Sequence, residues 1–420
     1  MSKKLSVYLN KIFIGTYEQE LSGKTIFTYD SNYLKSAKAK PLSISLPLQP
    51  EPFEHRVVEP FFSALLPDEY QRELLAKNLG ESERNPFALL SIVGGDCAGA
   101  IEIINSAKPV TQSKTPNSPL SEDELDRIIK KELPISPLLA SKKSKIRLSL
   151  AGAQSKLAVF FDEKKDLFPH QISDQPSTHI LKPSNPHWDD LPYNEFFCMK
   201  LAEKIGLDVA KVLLKFSKKD PYLLVRRYDR SIDSKGKVTR IHQEDFCQAL
   251  AIMPEKKYES HGGPSIAKSL QLIENHSIHP ARDKLQFIHA VIFNYLIGNC
   301  DAHGKNFSFL HLENGLKFAP LYDLVCTSAY PIDNKMAMKI GSTYKTKPLP
   351  LRHWHSIVPS TNTAKSSLNK DLKTFATKLP KKAAELKIEL EKVGIKSKMF
   401  EKVIEVINKR CEYVLKYFEE

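Results

Sequence analysis

The sequence predicts an α+β chain, with a small β-rich part at the N-terminus and a mostly helical part at the C-terminus. Three observations predict it. Short alternating runs, Leu5–Leu9 and Ile12–Gly15, open the chain. Further strand-like runs follow at Lys156–Phe161, Thr178–Lys182 and Tyr222–Arg226. Helical periodicity dominates beyond about residue 330, where Phe400, Val403, Ile404, Ile407, Cys411, Val414 and Phe418 share one face at the 3.6-residue period.

Taken in order, residues 1–105 combine the opening strands with a helix over Tyr70–Leu79 and a glycine-marked segment, Val93–Gly99. Residues 106–122 are rich in Ser, Thr, Pro and Lys without periodicity, the composition of a linker or loop. Residues from about 123 to 325 begin helical and turn strand-rich, and the remainder is helical. The length, 420 residues, suits two or three domains. A composition 41% hydrophobic and 26% charged excludes wholesale disorder and fibrous repeats.

The longest apolar run, around Phe287–Ile297, is broken by His289 and Asn294, and the N-terminus alternates instead of offering an apolar leader. A soluble, cytoplasmic chain with no membrane partner is expected. The six cysteines are scattered and form no CxxC or Cys/His cluster, so they read as buried apolar residues in a reducing compartment. A formal net charge of +13 admits an acidic partner such as nucleic acid or nucleotide, and equally a merely solubilising charge.

The stretch carrying most chemistry runs from Asn299 to Asp323. Leu285, Ile288, Val291, Ile292, Tyr295 and Leu296 describe a helix that stops at Gly298, which leaves Asp301 just past a helix end. Phe307–Leu312 and Leu316–Leu321 then read as two strands around an Asn314-Gly315 turn, because a type I′ turn needs positive φ at both central residues. That turn pairs Glu313 with Leu316 and, carried outward, sets Asn306 opposite Asp323. An Asn and an Asp together, with Asp301 five residues upstream of Asn306, can make a hard-cation site beside a carboxylate base. The spacing Asp-x4-Asn with a second Asp after a hairpin is that of protein-kinase machinery. The plainer alternative is that Asp301 caps a turn and Asp323 ends a strand.

Lys182 closes an apolar strand, and Glu195, thirteen residues on in a helix beginning near Leu191, is placed to hold it by an ion pair. A surface lysine and a surface glutamate would have the same spacing. Upstream, Ser149–Lys156 runs small residues into a strand, which lets backbone approach phosphate without matching a Walker A pattern.

Together these segments resemble the HipA family of bacterial toxin kinases. The resemblance is carried by LSLAGAQSKLAV (Leu148–Val159), THILKP (Thr178–Pro183), YNEFFC (Tyr193–Cys198) and LVRRYDR (Leu224–Arg230). It continues in QEDFCQAL (Gln243–Leu250), KYESHGGPSIA (Lys257–Ala267), LIGNCDAHGKNFSF (Leu296–Phe309) and APLYDLV (Ala319–Val325). SALLPDE (Ser63–Glu69) and VGGDCAGAI (Val93–Ile101) match the N-terminal part; beyond about residue 330 the resemblance fades.

The resemblance implies a kinase-like two-lobed fold: residues 1–105 as the β-rich N-terminal subdomain, 123–230 as the ATP-binding N-lobe and 231–420 as the helical C-lobe. It implies ATP and Mg²⁺ as cofactors, Asp301 as catalytic base, and Asn306 and Asp323 as metal ligands. Lys182, supported by Glu195, would meet the nucleotide phosphates beneath the loop Ala151, Gly152, Ala153, Gln154, Ser155, Lys156. Arg226, Arg227 and Tyr228 would form the hinge, with His303, Lys305 and Tyr322 also near nucleotide. Ser149 matches the autophosphorylated serine, where a phosphate would repel ATP phosphates and expel the loop.

The implied activity is Ser/Thr protein phosphorylation, with an aminoacyl-tRNA synthetase such as the glutamyl enzyme as target and arrested translation as outcome. The implied partners are a HipB-like helix-turn-helix antitoxin and, through that complex, operator DNA. Basic stretches such as Ser141–Arg147 and the lysine-rich C-terminal third would assist phosphate contacts, although solvated helix faces explain the same lysines. This chain departs from the family pattern at Ser155, Arg226 and His261, where acidic residues are usual. A small-molecule kinase on the same fold and a non-catalytic DNA-binding co-repressor are the alternatives.

Overall fold

The computed structural model describes residues 2–105, 121–130, 156–169, 175–332, 334–346 and 348–419. The loop residues Ala151–Ser155, together with Ser149 and the basic stretch 141–147, lie outside the described residues. Two compact units form. One comprises Met1–Pro183, Lys215–Lys256 and Ser308–Leu312; the other comprises Ser184–Leu214, Lys257–Phe307 and Glu313–Glu420.

In the first unit, β1 (Lys3–Leu9), β2 (Ile12–Gln19), β3 (Thr25–Tyr29) and β4 (Ile101–Ile104) make an antiparallel sheet of order β3-β2-β1-β4. β1 and β2 are joined by Asn10 and Lys11, both at positive φ, the two-residue geometry that matches strand twist. Alternation puts Leu5, Val7, Leu9, Tyr17, Phe27 and Tyr29 on the buried face, and the bulge opposite Val7 and Tyr8 buries Ile14 as well. They pack on Val58, Phe61 and Phe62 of helix His55–Ser63 and on Phe87, Leu89 and Leu90 of helix Pro86–Val93. Tyr17 stacks on Phe62 at 4.0 Å. The expected helix runs Glu69–Leu79 and stops at Gly80 in the left-handed region.

A second sheet in this unit pairs Leu157–Val159 with His179–Pro183, and His179–Pro183 with Asp220–Arg226. The first unit continues past the boundary expected at residue 230, and a buried ionic cluster shows why. Asp96, in the glycine-marked segment, accepts from Arg230 Nη2 and Arg240 Nη2 at 3.2 Å each, with Arg227 Nη1 at 3.8 Å. Gly99 N donates to Asp229 Oδ2 at 2.7 Å. Gly99 has a φ of 71°, and a Cβ there would meet Gln243 N at 2.7 Å, so glycine is required. Burial alone would raise the Asp229 carboxyl, but Arg227 and Arg230 outweigh it and hold it at about 2. The cluster ties residues 96–102 to 227–240 within one unit.

The second unit is mainly helical. Leu368, Leu372, Ala376, Leu379, Ala383, Leu386 and Leu390 form the buried stripe of the long helix Asn362–Lys392. The last helix, Lys398–Leu415, buries Phe400, Val403, Ile407, Cys411 and Val414 as its periodicity predicts. Ile404 is only half-buried, and Phe418 falls in a 3₁₀ turn beyond the helix. Phe400 stacks on Phe197 of helix Leu191–Lys204 at 4.9 Å. Among the described residues no helix is long and apolar enough to cross a membrane.

Candidate active site

Helix Pro280–Ile297 ends at Gly298, whose φ of 77° reverses the chain. A Cβ at Gly298 would come within 2.7 Å of Val406 and 2.9 Å of Ser328, so two neighbouring segments close on this glycine. The loop that follows is fixed through its backbone. Asn299 Nδ2 donates to Asn294 Oδ1 at 2.9 Å, and Asn299 Oδ1 accepts from Asp301 N at 3.0 Å. Cys300 N donates to Thr327 Oγ1 at 2.8 Å, and Ser328 N donates to Gly298 O at 3.0 Å.

Asp301 leaves this loop with its side chain 49% exposed. Tyr258 Oη donates to its Oδ1 at 2.5 Å, and His303 Nε2 lies 3.9 Å from the same oxygen. Asn306 ends the 3₁₀ turn Gly304–Asn306, and its Nδ2 donates to Asp301 O at 3.0 Å. With the amide nitrogen so engaged, Asn306 Oδ1 is the atom left to face a cation. Tyr322 Oη donates to Lys305 O at 2.7 Å, which fastens the segment carrying Asp323 to the loop carrying Asn306.

The hairpin differs from expectation. Glu313 and Asn314 occupy the turn and Gly315 begins the second strand, one residue earlier than predicted. The strands Ser308–Leu312 and Gly315–Phe318 stop short of residues 306 and 323, so ladder pairing does not set Asn306 opposite Asp323. Two causes are visible. Asn306 is drawn into the 3₁₀ turn, and Pro320, which lacks an N–H, follows the second strand. Leu321 instead exchanges hydrogen bonds with Asp208 O and Ala210 N. Asp323 then takes a φ of 55°, a left-handed conformation uncommon outside glycine and typical of functional turns.

Four expected nucleotide contacts are engaged elsewhere or buried. The Arg227 guanidinium is buried and its nitrogens donate to Asp229, Ser177 Oγ and Cys97 O, so its side chain does not serve a nucleotide. Its environment within a paired cluster, not the hinge position, dictates this. The Tyr322 hydroxyl is committed to Lys305 O. The His303 ring is buried, edge-on to Tyr258 at 5.2 Å. Lys305 is likewise buried.

Lys182 is 1% exposed in strand His179–Pro183, opposite Leu223 in register, and Glu195 is 1% exposed on helix Leu191–Lys204. Neither is the snorkelling surface residue that the plainer reading allows. Lys156 and Tyr228 are half-buried, and Arg226 is exposed with Nε 3.6 Å from Glu163.

The sequence did not reveal the residues that hold the loop and the segments bonded to it. Tyr258 is one. Asn194, on helix Leu191–Lys204, accepts from Cys326 N at 2.8 Å and donates to Cys326 O at 3.0 Å. Arg410, from the last helix, donates to Tyr295 O at 2.8 Å and to Ser328 Oγ at 2.9 Å. Among the described residues no three His, Cys, Asp or Glu side chains gather to hold a metal. An amide oxygen and a carboxylate nonetheless fit Mg²⁺, which takes hard oxygen donors and keeps much of its shell as water and phosphate.

Residues 148–393 match the HipA-like C-terminal domain, and residues 5–104 match the HipA N-terminal domain. The chain is 44% identical over 357 residues to Y4mE of Sinorhizobium fredii, a protein with a provisional kinase name, covering 84% of each chain. It is 31% identical over 399 residues to the serine/threonine-protein kinase toxin HipA of Shewanella oneidensis, covering 91% of this chain and 89% of that one. The solved complex of Shewanella oneidensis HipA with HipB and operator DNA gives a TM-score of 0.82 at 27% identity over 99% of both chains.

Proposed function

This chain belongs to the HipA family, and from that premise we propose that it is an ATP- and Mg²⁺-dependent Ser/Thr protein kinase, the toxin of a toxin–antitoxin pair. The observation that carries the reading is the half-exposed Asp301 carboxylate on a loop braced through Gly298, Asn299, Thr327 and Ser328. A base needs a fixed position and an open face, and this loop supplies both.

In the proposed reaction Asp301 receives the proton of a substrate hydroxyl as that oxygen attacks the γ-phosphorus. Asn306 and Asp323 would hold Mg²⁺. That ion, when bound, neutralises charge on the transferring phosphoryl group. Lys182 would meet the nucleotide phosphates, Lys156 with Ala151–Ser155 would cover them, and Tyr228 would line the adenine side. Autophosphorylation at Ser149 would switch the enzyme off by like-charge repulsion. The acceptor class that family resemblance implies is an aminoacyl-tRNA synthetase, and the partner is a HipB-like antitoxin acting with operator DNA.

Incubating the purified chain with γ-labelled ATP and a bacterial lysate tests the acceptor. Label in protein bands, recovered as phosphoserine or phosphothreonine, is expected. Label confined to small molecules would replace this reading with a small-molecule kinase.

A further inference from the structure

We propose that Tyr258 is a positioning residue for the Asp301 base, pinning Oδ1 so that Oδ2 alone receives the substrate proton; the inference rests on the kinase reading above. An aspartate on a loop rotates broadly about its terminal torsion, so its two oxygens are interchangeable unless something distinguishes them. Here Tyr258 Oη donates to Oδ1 at 2.5 Å, a charge-assisted geometry.

The phenol is itself held. Gly304 N, in the Asp301 loop, donates to Lys257 O at 3.2 Å, tying the two segments through their backbones. His261 N and Gly263 N both donate to Tyr258 O at 2.9 Å, closing a tight turn directly after the tyrosine. Lys339 N donates to Glu259 Oε2 at 2.6 Å, anchoring that turn from a third segment. The Tyr258 ring is edge-on to His303 at 5.2 Å and to His261 at 5.9 Å, with Lys257 Nζ 5.6 Å above it.

The other groups near the carboxylate leave the same oxygen open. His303 Nε2 approaches Oδ1, at 3.9 Å, and Asn306 Nδ2 is spent on the main-chain carbonyl of Asp301. In the transfer step the acceptor O–H proton moves to Oδ2, the acceptor oxygen bonds to the γ-phosphorus, and the bond from that phosphorus to ADP breaks, with its electron pair leaving on ADP. The proton on Oδ2 then passes to solvent. Tyr258 keeps its own proton throughout, so it acts by orientation.

Tyr258→Phe keeps the ring against His303 and removes only the donor. Wild type, Tyr258→Phe and Asp301→Asn are compared by steady-state transfer to a protein acceptor, ATP affinity and thermal midpoint. We expect Tyr258→Phe to lose about 10- to 100-fold in kcat, the scale of a misplaced catalytic group, with KM for ATP unchanged within about twofold. Its ATP affinity and midpoint should stay at wild-type values. A wild-type kcat or a higher one overturns the inference, as does loss of ATP affinity or of the folded state, either of which would make the tyrosine structural. If wild type itself transfers no phosphate, the kinase reading fails instead. If wild type is active, Asp301→Asn inactive and Tyr258→Phe undiminished, only the role of Tyr258 falls.

Discussion

His242 stands fully buried in the first unit, with Nε2 against Leu42 O at 2.8 Å and Nδ1 without a hydrogen-bond partner among the described residues. Burial first, and then the His311 ring 4.5 Å away, push its pKa down to about 3. His311 in turn meets Glu244 at 2.9 Å, and Glu244 also accepts from Ser43 Oγ. His179, lowered to about 3 by burial and then by Arg226, behaves alike. Both histidines are neutral when folded, whereas the unfolded chain protonates them near pH 6.5. The unfolded state therefore binds more protons between pH 6.5 and about 3, and stability falls as pH drops through that window. Each histidine contributes a slope of at most about 1.4 kcal/mol per pH unit. His242→Gln, whose amide still reaches for Leu42 O, should show a shallower loss of denaturant midpoint between neutral pH and about pH 5; parallel curves for variant and wild type would contradict this. None of this was visible in the sequence, because burial of a lone histidine depends on which segments pack over it.

At the scale of elements, the site is held from far downstream. The last helix was legible as a helix from its apolar face, yet that pattern said nothing about Arg410, a charged residue that the fold turns inward. Arg410 sits over the Tyr295 ring at 5.3 Å and bonds both Tyr295 O, in the final turn of the helix before the Asp301 loop, and Ser328 Oγ. Arg410→Met should cost about 1.5–3 kcal/mol of stability, the worth of hydrogen bonds to a charged group, read as a lowered denaturant midpoint. An unchanged midpoint would show the brace to be idle. The helix end at Gly298 was equally legible, since a left-handed stop has a residue signature. The hairpin register was not: the expected turn ignored the pull of the 3₁₀ turn at Gly304–Asn306 and the interruption at Pro320. Motif order located the loop, while non-local hydrogen bonds to Thr327 and from Tyr258 shaped it, and Asn194 and Arg410 hold the segments beside it.

For the molecule as a whole, the first unit joins the N-terminal sheet to the strands around Arg226–Arg230 through one buried set of charges, Asp96, Arg227, Asp229, Arg230 and the Arg240 side chain, with the part-buried Glu102 pairing Arg240 at its edge. Buried charges of this kind persist only when paired, so the β-rich subdomain is built into the unit that carries Lys182 and Tyr228. The α+β class and the family were legible because motif blocks span both ends of that unit. In the second unit, Asp301 is the residue proposed to accept the proton in phosphoryl transfer. That role is tested most directly by measuring ATP affinity and single-turnover γ-phosphoryl transfer for Asp301→Asn beside wild type. The substitution keeps the side-chain shape and an oxygen for Tyr258, so ATP affinity should hold within about threefold while transfer falls by about 10²- to 10⁴-fold. Transfer at the wild-type rate, with ATP bound equally well, would contradict the account.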